Sequence, residues 1–211
     1  MPRVKVCGLT NEADLSMVVD AGADAVGAIV DVPVDTPRDI DPSRAAAIFD
    51  AAPPFVSTVL VTMPDSVTQA LELVEQTRPD VLQVHAGLSP AAIEEIVEDG
   101  ITTVAAVDNE EAAIERYAEA ADALLVDSTD ESGAGGTGQT HDWEKTEQLA
   151  SLPAPIMLAG GLTPENVTAA ISVVDPYAVD VSSGVEAAPG EKDPDLVAEF
   201  VSNATGVEGT G

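Results

Sequence analysis

The sequence predicts a single-domain α/β protein, a (β/α)8 TIM barrel, on three observations. Short apolar runs alternate with amphipathic segments eight times along the chain, as in parallel strands joined by helices. No linker is long enough to separate two domains, and 211 residues suffice for one small barrel. Polar residues recur where the apolar runs end. An open doubly wound sheet is the alternative, because alternation alone does not prove that the sheet closes.

Eight apolar runs are the expected strands. They are Val4–Cys7, Ala25–Val30, Phe55–Val61, Val81–His85, Thr103–Val107, Ala123–Val126, Ile156–Ala159 and Ala178–Ser182. After each run, apolar residues recur at the spacing of one helix face, as Leu15, Val18, Val19 and Gly22 do in the first helix. The barrel is expected over residues 1–205, with 206–211 as a frayed tail.

Most of the expected helices begin at a residue that can cap a helix, often with proline at the first helical position. These start signals are Thr10 or Asn11, Asp41-Pro42, Ser89-Pro90, Asp142, Thr163-Pro164 and Asp193-Pro194. An Asp cap followed by proline at the first helical position, as at Asp41-Pro42, is a specific start signal.

The composition is strongly acidic: 38 Asp and Glu against 8 Lys and Arg give a net charge of -30. This charge repels nucleic acid and anionic lipid, so neither is an expected partner. The acids are spread along the whole chain, which suggests a solvated surface suited to concentrated salt and hence a halophilic protein. One cysteine and two histidines disfavour a Cys/His metal site, and no signal peptide or membrane-spanning run is evident, so a cytoplasmic location is expected.

Polar side chains are expected to converge at one end of the barrel. Strand residues alternate between the helices and the barrel interior, and valines and leucines take the helix-facing positions. The positions left for the interior near the strand ends hold Cys7, Gln83, His85, Asp127, Asp180 and Ser182. Each alone could be structural, but together they match the place where barrels carry their active sites.

Three glycine-rich stretches are candidate anion sites. Gly160-Gly161 follows the seventh strand and Ser182-Ser183-Gly184 the eighth, where barrels commonly bind phosphate through backbone N–H groups. The third stretch, 133–138, has the form G-x-G-x-x-G, but it stands five residues beyond its strand and opens no helix directly. It is therefore weak evidence for a dinucleotide site.

The chain resembles the phosphoribosylanthranilate isomerases of tryptophan biosynthesis. The stretches that carry the resemblance are Lys5-Val-Cys-Gly-Leu-Thr10, Gly22-Ala-Asp-Ala-Val-Gly27, Gln83-Val-His85, Gly135-Gly-Thr-Gly138 with Asp142-Trp143, Gly160-Gly-Leu-Thr-Pro-Glu-Asn-Val167 and Val179-Asp-Val-Ser-Ser-Gly-Val-Glu186. The resemblance implies an Amadori rearrangement of N-(5'-phosphoribosyl)anthranilate, an aminoaldose, to 1-(2-carboxyphenylamino)-1-deoxyribulose 5-phosphate, with neither cofactor nor metal. The implied partner is this small phosphosugar; the sequence does not indicate an oligomeric state.

The resemblance also implies roles for individual residues. Cys7 would be the general base and Asp127 the general acid, and Arg38 would bind the substrate carboxylate. Gln83, His85 and Asp180 would be further substrate-binding residues. The implied phosphate-binding residues are Gly136, Gly138, Gly160, Gly161, Ser182, Ser183 and Gly184. A thiol that acts as a base has to ionise, so the pKa of Cys7 is expected to be lowered, for instance by Lys5.

The sequence departs from the family's pattern in the loop before Arg38, at Ala86 and at His141, which affects loop geometry more than reaction type. Two other functions remain open. One is a different phosphosugar isomerase or epimerase, although such epimerases generally hold a metal with several histidines. The other is a barrel that binds a phosphometabolite without catalysis.

Overall fold

Eight parallel strands close into a barrel in chain order in this computed structural model, which describes residues 1–108, 111–127 and 143–206. Closure is made by β1, which pairs with β2 on one side and with β8 on the other, so the alternative of an open sheet is excluded. The strands are β1 Arg3–Val6, β2 Ala25–Ile29, β3 Ser57–Thr62, β4 Val81–His85, β5 Thr103–Val107, β6 Ala123–Asp127, β7 Ile156–Ala159 and β8 Ala178–Val181.

A helix follows every strand of the barrel, and a short antiparallel hairpin that the sequence did not predict precedes the last helix. The helices are α1 Glu12–Asp20, α2 Pro42–Asp50, α3 Val67–Thr77, α4 Pro90–Glu98, α5 Ile114–Ala120, α6 Trp143–Gln148, α7 Val167–Val174 and α8 Pro194–Thr205. The hairpin consists of β9 Glu186–Ala188 and β10 Glu191–Lys192, and short 3-10 turns occupy Leu149–Ser151 and Ser183–Val185.

The main core lies between the strands and the surrounding helices. Val4 and Val6 of β1 are fully buried there, as are Ile48 of α2, Ile93 of α4 and Phe200 of α8. Burying one such side chain contributes roughly 1.5–3 kcal/mol, so the many members of this layer dominate stability. The helix-facing parity predicted from the sequence is therefore confirmed, and it leaves the other parity of each strand to fill the barrel interior.

Several predicted helix starts have the expected caps. The side chain of Asn11 accepts the backbone N–H of Asp14, Ser89 accepts that of Ala92, and Asp193 accepts two N–H groups of the first turn of α8. Asp41 precedes a proline at the start of α2, as expected, but its side chain makes no capping hydrogen bond. The predicted cap Asp142 lies outside the described residues.

Several predicted boundaries differ from the structure by one residue, and two are wrong by more than that. The third strand begins at Ser57, because Phe55 lies in a turn with φ of 75° and a fully exposed ring. The seventh helix begins at Val167, not at Thr163-Pro164. The reason is a turn held by Asn166, whose side chain accepts the N–H of Thr163 at 2.8 Å and donates to the carbonyl of Gly161 at 2.9 Å.

The last helix ends at Thr205, where Gly206 takes a left-handed conformation. Residues 207–211 of the predicted tail lie outside the described part of the chain. Over the ranges that the structure describes, no helix combines the length and apolar character needed to cross a membrane.

Candidate active site

A cavity of about 360 Å³ opens at the carboxyl ends of the barrel strands. Every predicted site residue that the structure describes contributes to its lining. These residues are Cys7, Arg38, Gln83, His85, Asp127, Gly160, Gly161, Asp180, Ser182, Ser183 and Gly184. Gly136 and Gly138 lie outside the described residues. The strand ends therefore bring side chains from distant parts of the sequence to one place, as the alternation of strand residues predicts.

A buried ion pair lies in the barrel interior beside Cys7. The ammonium group of Lys5 on β1 donates to Asp180 Oδ2 on β8 at 2.9 Å, and the two side chains are 1% and 9% exposed. The pair follows from register, because Lys5 stands opposite Asp180 in the β1–β8 ladder. Burial alone would lower the pKa of Lys5, but attraction to Asp180 and Cys7 outweighs it, so the pKa is raised and the lysine is charged.

Burial raises the pKa of the Cys7 thiol. The charge of Lys5 and a hydrogen bond from it act in the opposite direction, but Asp180 cancels part of that attraction. The expectation of a lowered pKa is therefore wrong. The main reason for the raised pKa is burial of the thiol. In addition, Lys5 already has a carboxylate partner, so the three groups are together neutral while the thiol keeps its proton.

The thiol and the lysine fit side by side only because β2 carries glycine at position 27. A Cβ atom on Gly27 would lie 2.9 Å from Cys7 Sγ and 3.2 Å from Lys5 Cε, closer than packed side chains allow. Gly27 thus leaves the space that both groups occupy. Gly27 is a site residue that was not predicted from the sequence, although it ends one of the stretches that resemble the family.

Backbone geometry shapes the other side of the cavity. Gly160 and Gly161 have φ of 86° and 57°, and a Cβ on Gly184 would lie 1.9 Å from the carbonyl oxygen of Leu162. Only glycine allows the loops after β7 and β8 to approach each other this closely. Such loops can direct backbone N–H groups at an anion without using lysine or arginine.

Three buried polar atoms on the cavity wall have no hydrogen-bond partner among the described residues: Gln83 Oε1, Asp180 Oδ1 and Ser182 Oγ. Buried polar groups in folded proteins are nearly always satisfied, and each one left unpaired costs about 1–3 kcal/mol. Their grouping in one cavity is typical of a site that binds a polar ligand. No cluster of three or more His, Cys, Asp or Glu residues that could hold a metal ion occurs in the part of the chain that the structure describes.

Arg38 lies at the rim of the cavity and is held by Glu186 of the hairpin. Its Nε and Nη2 donate to the two oxygens of Glu186 at 2.9 and 2.6 Å. Lys192, whose side chain is fully buried, donates to Glu186 at 2.8 Å and to the carbonyl of Ser182 at 3.0 Å. Burial would raise the pKa of Glu186, but the hydrogen bonds from Arg38 and Lys192 outweigh it, so that pKa is lowered and the carboxylate stays charged.

Comparison with known proteins shows which family the chain belongs to. A sequence model of the family described as N-(5'phosphoribosyl)anthranilate (PRA) isomerase matches residues 4–203. The chain belongs to this isomerase family. The isomerase of Haloarcula marismortui is 56% identical over 209 residues, which are 97% of this chain and 96% of that protein. The isomerase of Haloferax volcanii is 53% identical, with 99% and 96% covered.

Solved structures of the isomerase family share the fold. The crystal structure of the Thermotoga maritima isomerase has a TM-score of 0.86 and 38% identity, with 98% of this chain and all of that chain covered. A second isomerase structure, in complex with reduced 1-(o-carboxyphenylamino)-1-deoxyribulose 5-phosphate, has a TM-score of 0.84, 35% identity and the same coverage. The barrel predicted from the sequence is thus the barrel of this family.

Two further site residues, Glu186 and Lys192, were not predicted from the sequence. Glu186 ends the stretch Val179–Glu186 that resembles the family, but no role was predicted for it. A signal for Lys192 was available in the composition. With only eight Lys and Arg in the chain, each cation is a candidate for a specific role. Glu186 offered no such signal, because it is one of 38 acidic residues.

Proposed function

We propose that the protein catalyses the isomerase reaction of tryptophan biosynthesis, from N-(5'-phosphoribosyl)anthranilate to 1-(2-carboxyphenylamino)-1-deoxyribulose 5-phosphate. One observation carries the proposal: in a chain of this family, Cys7 and Asp127 line the same cavity as the loops after β7 and β8. A thiol, a carboxyl group and an anion-binding rim in one enclosure are what two proton transfers on a phosphosugar require.

The first proposed step uses Asp127, at the end of β6, as the general acid. Its carboxyl group gives a proton to the oxygen of the ribose ring, and the C1–O bond breaks. The lone pair of the anthranilate nitrogen then forms a C=N bond to C1, which leaves an iminium ion. Because the substrate itself supplies this electron sink, these steps need no further group to stabilise a carbanion.

The second proposed step uses Cys7 as the general base. The sulfur takes the proton from C2, the C–H electrons form a C1=C2 bond, and the C=N electrons return to nitrogen. The resulting enolamine loses the proton of its C2 hydroxyl and gains one at C1, which yields the ketone. The positive iminium would favour the thiolate, offsetting the burial that raises the pKa of Cys7.

The remaining cavity residues would hold the two anionic ends and the middle of the substrate. The loops at Gly160-Gly161 and Ser182-Ser183-Gly184 suit the phosphate, with Gly136 and Gly138 as further predicted contacts. Arg38 suits the anthranilate carboxylate. The unpaired Oδ1 of Asp180 can accept the anilino N–H, and Gln83 and His85 line the opposite wall. A small phosphosugar is accordingly the proposed partner. The cytoplasm is the proposed location.

The proposal is tested by following the fluorescence of N-(5'-phosphoribosyl)anthranilate after the protein is added, in high and in low salt. We expect the fluorescence to fall catalytically, and mass spectrometry with borohydride trapping to identify the aminoketose. Binding without turnover would instead support the alternative of a phosphometabolite-binding barrel. Turnover of a pentose 5-phosphate, but not of this substrate, would support a different isomerase or epimerase. Either result would overturn the proposal.

A further inference from the structure

The hairpin β9–β10 joins the two regions proposed to hold the substrate's anionic ends. Glu186, at its first position, binds Arg38 through two parallel hydrogen bonds. Lys192, at its last position, bridges Glu186 and the carbonyl oxygen of Ser182. A continuous chain of charge-assisted hydrogen bonds therefore runs from Arg38 to the loop after β8.

Glu186 restricts how Arg38 can bind a ligand. A guanidinium group can offer a carboxylate either its Nε–Nη2 edge or its Nη1–Nη2 edge. Both atoms of the first edge donate to Glu186, while Nη1 makes only a long contact of 3.3 Å with Thr36 Oγ1. A substrate carboxylate can therefore form a two-point contact only with the second edge.

Lys192 acts on the other side of the same carboxylate. Its side chain is 0% exposed, and burial lowers its pKa, so placing a charged amine here has an energetic cost. That cost is partly offset by the bonds to Glu186 and to Ser182, the residue before Ser183-Gly184. A buried cation in so acidic a chain is consistent with a specific task, which here is to fix this loop.

We infer that Glu186 and Lys192 are positioning residues, which orient Arg38 for the substrate carboxylate and hold the loop after β8 in shape for the phosphate. The inference rests on the proposed function, because it assigns the carboxylate and the phosphate to these two regions. Neither residue needs to touch the substrate. Their effect is transmitted through Arg38 and through the backbone of Ser182.

The charge of Glu186 provides a sharp test. If Glu186 acted only by its charge, Glu186→Gln would remove a negative group beside Arg38 and tighten the binding of an anionic substrate. If Glu186 orients Arg38, the same substitution loosens binding. We expect the KM for N-(5'-phosphoribosyl)anthranilate to rise on the order of tenfold, the effect of a lost charge-assisted hydrogen bond, with kcat nearly unchanged.

A substrate analogue without the carboxylate distinguishes effects on carboxylate binding from effects on phosphate binding. For N-(5'-phosphoribosyl)aniline, which lacks the carboxylate, Glu186→Gln should raise KM less, because only its effect through Lys192 on the loop after β8 remains. Lys192→Met should instead raise KM for both substrates and weaken competitive inhibition by inorganic phosphate. Glu191→Gln is the matched control: it removes an exposed carboxylate from the same hairpin and should change none of these values. In an Arg38→Lys background, Glu186→Gln should add only the smaller effect seen with the aniline analogue.

Glu186→Asp keeps the charge but shortens the side chain, and it gives the same test if the glutamine variant does not fold. It too should raise KM more for the substrate that carries a carboxylate than for the aniline analogue. An unchanged or lowered KM for that substrate in a folded Glu186 variant would overturn the inference, as would an equal rise for the aniline analogue. These results require an active wild-type protein. An inactive wild-type protein would refute the proposed function instead, so the two failures are distinguishable.

Discussion

Replacing Lys5 by methionine tests how the barrel interior is held together. Methionine keeps most of the volume of the lysine chain, so the substitution removes the charge and leaves packing nearly intact. The lost interaction is the 2.9 Å bond to Asp180, in a pair that is 1% and 9% exposed. Lys5→Met therefore leaves an uncompensated carboxylate inside the barrel.

The expected cost can be worked out from this geometry. Breaking a buried ion pair by removing one partner destabilises a protein by about 3–5 kcal/mol. For a chain of this size, that corresponds to a fall in Tm of roughly 6–20 °C. Removing both charges in Lys5→Met/Asp180→Asn leaves no orphaned carboxylate, so much of the lost stability should be recovered.

The same ion pair makes stability depend on pH. Because the pKa of Lys5 is raised, the stabilisation is fully present below about pH 10.4, the pKa of a free lysine. It is lost only as the pH rises through the pKa of Lys5 in the folded protein.

The assay is urea unfolding at neutral pH in concentrated KCl, with the wild type, both single variants and the double variant compared as a cycle. We expect Lys5→Met to lower the midpoint strongly and the double variant to lie between it and the wild type. A single variant as stable as the wild type would refute the reasoning. So would a double variant with a loss equal to the sum of the two single losses, because the charges would then not interact.

Three further predictions concern the thiol and the surface. Gly27→Ala places a Cβ 2.9 Å from Cys7 Sγ, so we expect kcat to fall on the order of 100-fold with the fold retained; unchanged turnover would show that the glycine is not needed. Because burial raises the pKa of Cys7, iodoacetamide should label it slowly at neutral pH and faster above the ordinary thiol pKa of about 8.5; fast labelling at neutral pH would contradict this. With a net charge of -30, the protein should lose structure in dilute buffer, and circular dichroism that is independent of salt would count against that expectation.

Much of the fold was predictable because its signals are local. The strands Val81–His85, Thr103–Val107 and Ile156–Ala159 match the predicted bounds, since each is an apolar run closed by residues that break a strand. The cap and proline at Asp193-Pro194 fixed the start of α8 in the same way. The start of α7 was not predictable from its Thr-Pro pair, because the turn held by Asn166 depends on a bond back to Gly161.

The sequence predicts which strand residues face the site, because side chains alternate along each strand, but it predicts little else about the site. The alternation of side chains brings Cys7, Asp127 and Asp180 to one cavity without any knowledge of distances. The direction of the Cys7 pKa shift depends on burial and on the competing effects of Lys5, Asp180 and Lys192, none of which a sequence displays. The hairpin that carries Lys192 was missed because its strands, of three and two residues, are too short to show a periodic pattern.

The central claim is that one sulfur and one carboxyl group carry out both proton transfers, and the most direct measurement is turnover of N-(5'-phosphoribosyl)anthranilate by Cys7→Ala, Asp127→Asn and the double variant. A general acid or base typically contributes about 100- to 10,000-fold, so each folded single variant should lose at least two orders of magnitude in kcat. The KM of each should stay near that of the wild type. A double variant that is folded and fully active would contradict the mechanism outright.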